Sequence, residues 1–202
     1  MVIRYPNGRI YQKQQRTKTR IAEPSFANRG QTLEQQIEEA NEYYLEKELA
    51  VIHKKPIPIQ IVNVHYPARS AARITEAYFK TPSTTDFNGI WNGLHIDFEA
   101  KETKNKTSFP LANIHPHQVE HMGRVARQNG VVFFIFKFAT LSRYFLFFYE
   151  DFEPFWTRML QGGRKSITLS EVENNSYELQ VSAYPELHYL PIIEQYMNEK
   201  ER

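Results

Sequence analysis

The sequence predicts an α/β fold in which a central mixed sheet, flanked by helices, is interrupted by a projecting basic β-ribbon. Three observations carry that prediction. Asn92-Gly93 stands between two runs of β-type residues, and this dipeptide supplies the positive φ angles of a tight hairpin turn. Leu33, Ile37, Ala40 and Tyr44 recur at helical spacing, as do Val119, Met122, Val125 and Ala126, so each set forms the buried stripe of a helix. The apolar runs Val131 to Phe138 and Tyr144 to Tyr149 are of strand length and rich in β-branched and aromatic residues. At 202 residues the chain suits one domain with a substantial core, with or without an appendage.

Residues 1–28 are basic, Gln-rich and without apolar periodicity, and read as an arm that orders on binding. The remainder, 29–202, reads as the folded domain. Thr32-Leu33-Glu34-Gln35 has the pattern of a capping box and opens the first helix, which ends before Val51. Its acids Glu38, Glu39, Glu42, Glu46 and Glu48 read as a solvated face. Glu34 differs, because it lies in the first turn beside the buried stripe.

Residues 56–81 hold two β-rich segments, Pro56 to Pro67 and Arg73 to Lys80, joined by 68–72. They intervene where a compact α/β core needs only a short link, so they read as an insertion. As a basic ribbon it suits contact with phosphates, through Lys54, Lys55, Arg69, Arg73 and Lys80. Phe79 fits either a base-stacking or a core role.

The chemistry centres on 84–101. Alternation along the second hairpin strand puts Asp97, Glu99 and Lys101 on one face and Ile96, Phe98 and Ala100 on the other. One face is expected to be core and the other to be chemistry. The turn can bring Asp86 alongside Glu99. Two carboxylates suit a hard cation such as Mg²⁺, with Mn²⁺ as an alternative, because hard oxygen ligands leave coordination sites for water and phosphate. A bound cation lowers the pKa of a water and screens phosphate charge, while a lysine orients the nucleophile and stabilises the transition state. Asp86, Glu99 and Lys101 therefore point to phosphodiester hydrolysis, with the Ala100 carbonyl and Asp97 as weaker ligand candidates. An ion pair on a solvated strand face is the competing reading.

Beyond the hairpin, Lys104 and Lys106 lie in a polar loop suited to holding a nucleic-acid backbone. Pro116 is placed to start the next helix. His115, His117 and His121 lack the spacing of a zinc site, and no cysteine helps them. The Phe-rich strands read as core or subunit contact. Asp151 to Leu160 reads as a short helix closed by Gly162-Gly163, and Arg164 and Lys165 follow as phosphate contacts. The acidic tail carries no recognisable chemistry.

Charge is segregated although the net value is only +2. Residues 1–30 carry seven Lys or Arg against one acid and 51–81 carry five against one, whereas 31–50 carry six acids against one base. Basic surfaces separated from acidic ones suit a nucleic-acid partner. The absence of cysteine excludes disulfides and suits a reducing compartment. No apolar run approaches the roughly 20 residues of a membrane span, and no secretory signal is seen, so a cytoplasmic protein is expected.

Ile3-Arg4-Tyr5-Pro6-Asn7-Gly8, Ile52-His53-Lys54-Lys55-Pro56, Thr75-Glu76-Ala77-Tyr78-Phe79-Lys80, the run Phe98 to Thr107 and Gly162 to Ile167 resemble the text of one family. The Asp86, Glu99, Lys101 spacing resembles the PD-(D/E)xK nuclease superfamily, and these words resemble its RecU-type Holliday junction resolvases of Gram-positive bacteria. Thr85 stands where the superfamily name has proline. The resemblance implies a restriction-endonuclease-like core, with 56–81 as a stalk that contacts a four-way junction and Arg69 as a stalk arginine that handles it. It also implies that Glu34 and Gln118 join the site, Gln118 as a metal ligand. A homodimer acting in recombination and repair, with the RecA recombinase as a partner, is implied likewise. Two other readings stay open: a different endonuclease of the superfamily, and a DNA-binding recombination accessory that does not cleave.

Overall fold

The computed structural model describes residues 31–68, 71–80 and 84–200. The expected arm at 1–28 and the stalk arginine Arg69 lie outside them. Contacts divide the chain into two compact units, whose described parts are 56–68 with 71–80, and 31–55 with 84–200.

In the larger unit, helix α1 (Leu33–Glu46) starts as its sequence dictates. The Thr32 side chain accepts from the Gln35 N–H, and the Gln35 side chain accepts from the Thr32 N–H. Leu33, Ile37, Ala40 and Tyr44 are all buried. Strand β1 (Val51–Lys54) follows, and β4 (Phe87–Trp91) turns into β5 (Leu94–Thr103) through Asn92 and Gly93, at φ 47° and 78°. Both turn residues have the positive φ expected of Asn-Gly. Strand β6 (Ser108–Pro110) leads to helix α2 (Pro116–Ala126), then β7 (Val131–Phe138), β8 (Arg143–Phe148) and helix α3 (Tyr149–Leu160). Gly162, at φ 86°, turns the chain out of α3. Strand β9 (Ser166–Thr168), helix α4 (Leu169–Asn175), strand β10 (Tyr177–Leu179) and helix α5 (Leu190–Lys200) complete the unit.

Among the described residues, six strands form the main sheet in the order β1, β4, β5, β7, β8, β10. Only β5 and β7 pair in parallel, and α2 makes the crossover between them. The other neighbours are antiparallel, so the sheet is mixed as expected. Strands β6 and β9 form a separate small pair.

On β5 the expected division holds, with Ile96, Phe98 and Ala100 in the core and Asp97, Glu99 and Lys101 on the other face, but the main sheet as a whole buries both its faces. On one face Ile96, Phe98, Phe133, Ile135 and Phe148 pack with α1 and α5, and Phe98 stacks between Phe87 and Phe133 at centroid distances of 4.9 and 4.6 Å. On the other, Phe134, Phe136, Phe145 and Phe147 pack with α2, α3 and α4. The Phe-rich strands are therefore core. The tail also contributes: the Tyr44 hydroxyl accepts from the Tyr189 N–H at 2.8 Å, and Leu187, Tyr189 and Ile193 are fully buried. Its acidity had hidden this apolar set.

Gly89 explains how tightly β1 lies on β4. A Cβ there would stand 2.1 Å from the Val51 carbonyl oxygen and 2.6 Å from the Ile52 Cα. Gly89→Ala should destabilise the protein by about 1–3 kcal/mol, the usual cost of overpacking, and urea denaturation would measure it. An unchanged midpoint would mean that β1 gives way freely.

The smaller unit is a two-stranded antiparallel sheet of β2 (Ile59–His65) and β3 (Arg73–Phe79), with register irregularities between Ile61 and Val64. The two strands and their pairing follow the sequence reading. Phe79 is 81% exposed, which removes the core alternative for it.

Candidate active site

The register of the hairpin assembles the site. Phe87 pairs with Phe98, so one step further along the same antiparallel ladder Asp86 comes opposite Glu99. A gap of twelve residues becomes a side-by-side pair. The Asp86 N–H donates to Glu99 Oε2 at 3.1 Å, and the Lys101 ammonium lies 2.7 Å from Glu99 Oε1. Glu99 is fully buried, while Lys101 remains about one-fifth exposed. Burial pushes the Glu99 carboxyl up to about 8, the adjoining Asp86 carboxyl adds to the rise, and Lys101 opposes it. Two acids without a cation between them cannot both ionise cheaply.

Asp97 lies on the same face of β5 but has a different environment. It is 1% exposed, and its Oδ2 lies 2.8 Å from Lys55 Nζ and 3.2 Å from His121 Nε2. Its Oδ1 accepts from the Thr85 hydroxyl, which also accepts from Lys55 Nζ at 2.9 Å. The expectation that Asp97 is a weaker ligand is therefore corrected: both oxygens are committed to protein donors. Lys55, expected on a phosphate, is turned inward for the same reason. No local pattern announced this network, because its members are 12 to 42 residues apart.

The remaining candidates separate. Glu34, expected at the metal, instead pairs with Lys54 at 2.5 Å on the surface, and Glu38 lies 3.3 Å from the same ammonium. Lys54 is thus held by two carboxylates at the surface. Gln118 is buried in the first turn of α2, where its side-chain oxygen accepts from the His115 N–H at 3.1 Å. The capping box accounts for its position, as Pro116 at the first helical residue accounts for the helix start. Lys104 and Lys106 are exposed just beyond β5. Arg164 and Lys165 are exposed as well, but the antiparallel β6–β9 register and the Leu111 N–H to Lys165 carbonyl bond at 3.1 Å put them at the opposite end of that strand pair from the Lys104 and Lys106 loop. Arg73 and Lys80 are exposed on the ribbon. His115 and His117 stack on each other while His121 turns to Asp97, so these histidines do not converge on a metal.

Among the described residues no group of three or more His, Cys, Asp or Glu side chains converges as a metal site. The pair Asp86 and Glu99 nevertheless fits Mg²⁺, which retains several waters and commonly takes only one or two carboxylates. Glu99 Oε1 supports the fit, since it is buried without a hydrogen-bond donor and its Lys101 contact lies outside hydrogen-bond geometry.

The family model described as RecU, Recombination protein U, matches residues 28–195. A Holliday junction resolvase RecU of Staphylococcus epidermidis is 52% identical over 195 residues, covering 94% of each chain. The Bacillus cereus protein of that name is 51% identical, covering 96% of this chain and 98% of its own. The Lactiplantibacillus plantarum protein of the same name is 50% identical over 202 residues, covering 98% of both chains. With the family model spanning most of the chain and three relatives matched nearly end to end, this protein belongs to the RecU family.

Proposed function

We propose that the protein resolves four-way DNA junctions by Mg²⁺-dependent hydrolysis of phosphodiesters, in recombination and repair. The observation that carries the reading is the meeting of Asp86 with the buried Glu99 and the Lys101 ammonium at 2.7 Å. The relatives are named as resolvases of this substrate. We read the α/β unit as a restriction-endonuclease-like core and 56–81 as the stalk that engages the junction.

In this reading Asp86 and Glu99 hold Mg²⁺, or Mn²⁺ in its place, with the Ala100 carbonyl as an added ligand. When bound, the cation lowers the pKa of a water and screens the charge gathering on the phosphate. Lys101 lies where its ammonium can orient the attacking water and stabilise the developing charge. The burial of Glu99 keeps bulk water from weakening these interactions. Lys104 and Lys106 on one exposed loop, and Arg164 and Lys165 on another at the far end of the β6–β9 pair, are suited to holding the substrate backbone. A junction contains two strands to be cut symmetrically, which calls for a homodimer with two sites. Association with the RecA recombinase is the partner that the family reading carries.

The test compares wild-type protein and Glu99→Ala on a labelled four-way junction and a matched linear duplex, in Mg²⁺ or EDTA. Paired symmetric nicks confined to the junction, and lost in EDTA and in the variant, are expected. Equal cutting of the duplex would favour a general endonuclease. Junction binding without cutting would favour an accessory role.

A further inference from the structure

We infer that Asp97 is a positioning residue: with Thr85, Lys55 and His121 it forms a clamp around a buried carboxylate that sets the Asp86 carboxylate against Glu99, and so sets the affinity of that pair for a divalent cation. The inference rests on the reading that Asp86 and Glu99 are metal ligands.

Asp86 needs such a device because it precedes β4 and belongs to no strand. Three contacts hold it or its neighbour. Its N–H donates to Glu99, its carbonyl accepts from the Lys55 N–H at 2.7 Å, and the hydroxyl of the preceding Thr85 donates to Asp97. Lys55 serves twice, since its ammonium also reaches Asp97 at 2.8 Å and Thr85 at 2.9 Å. Asp97 stands two residues before Glu99 on the same strand face. A shift of the Thr85 segment relative to Asp97 would therefore move one ligand relative to the other. His121 closes the fourth side from α2 at 3.2 Å.

Stability alone is a weak reason for this arrangement. The Asp97 carboxylate forfeits its hydration and Lys55 most of its own, and well-packed apolar residues often serve the fold as well or better. Groups that orient metal ligands have a separate reason to be polar, because metal affinity falls when ligands lose their fixed geometry.

The experiment titrates Mn²⁺ alone into the full-length protein without DNA, following free Mn²⁺ by electron paramagnetic resonance. Thr85→Val removes the hydroxyl and nearly preserves the shape, while Thr85→Ser keeps the hydroxyl. Thr85→Val and Asp97→Asn are expected to weaken Mn²⁺ binding by about 10- to 100-fold, with Thr85→Ser close to wild type. Junction binding in EDTA should stay unchanged in all three. Wild-type Mn²⁺ affinity in a folded Thr85→Val would overturn the clamp. So would equal weakening in Thr85→Ser, since the hydroxyl would then not matter. If Asp97→Asn fails to fold, the Thr85 pair still decides. Glu99→Ala separates the two levels: undiminished Mn²⁺ binding there would sink the ligand assignment itself, whereas loss there with normal binding in Thr85→Val would sink only the clamp.

Discussion

Lys101→Ala is expected to slow junction cleavage by about 10²- to 10³-fold, the usual loss when one preorganised electrostatic group is removed from a hydrolytic site. Junction binding in EDTA should stay at the wild-type level. The expectation follows from position: the ammonium sits 2.7 Å from Glu99 Oε1 and is about one-fifth exposed. Lys101 is directed to the buried carboxylate, whereas Lys104 and Arg164 are exposed to solvent. Asp86→Ala and Glu99→Ala should lose cleavage at least as severely, because each removes a proposed ligand. Single-turnover cleavage and gel-shift titrations of the same preparations would check both halves. Equal loss of binding and cutting would point to misfolding or to a site misassigned.

Glu99→Gln should stabilise the protein in EDTA while abolishing cleavage. The carboxyl is pushed up to about 8 in the folded chain, against an ordinary value of 4.5, chiefly by burial. Between those values the unfolded chain has released the proton that the folded chain still holds. Raising the pH through this window therefore lowers the stability of the folded wild type. The amide has no charge to bury, so its advantage should grow from about pH 4.5 to pH 8 at up to about 1.4 kcal/mol per unit. Loss of the Lys101 ion pair offsets part of this, leaving a net gain of about 1–3 kcal/mol at pH 8. Urea denaturation across that pH range would read the gain. Mg²⁺ should then stabilise the wild type and leave Glu99→Gln unmoved, since a ligand stabilises only the state that binds it. An advantage independent of pH would mean that Glu99 titrates normally.

Both expectations depend on features of unequal visibility in the sequence. The capping box at Thr32, the Asn92-Gly93 turn, β7 and the helix starting at Pro116 were legible because each rests on local chemistry: a cap, a positive φ, an apolar run, a proline at the first helical position. The ribbon strands β2 and β3 were legible for the same reason. The short strands β6, β9 and β10 were not, since three residues carry too little periodicity to signal a strand. Helix α5 escaped notice because its acids mask the few apolar residues that bury it.

The site divides along the same line. By itself the sequence determined that Asp86 falls near Glu99 and that Lys101 shares the face of Glu99, because a two-residue turn and strand alternation set the register of the hairpin. Only the tertiary structure decided that Glu34 and Lys54 neutralise each other at the surface, and that Lys55 turns inward to Asp97. It also decided that both faces of the sheet are buried. These are choices between partners distant in the chain, and they are set by which charges lose their water when helices cover the sheet. Side chains left exposed keep their hydration, whereas Asp97, once covered by α2, must find its donors among Thr85, Lys55 and His121.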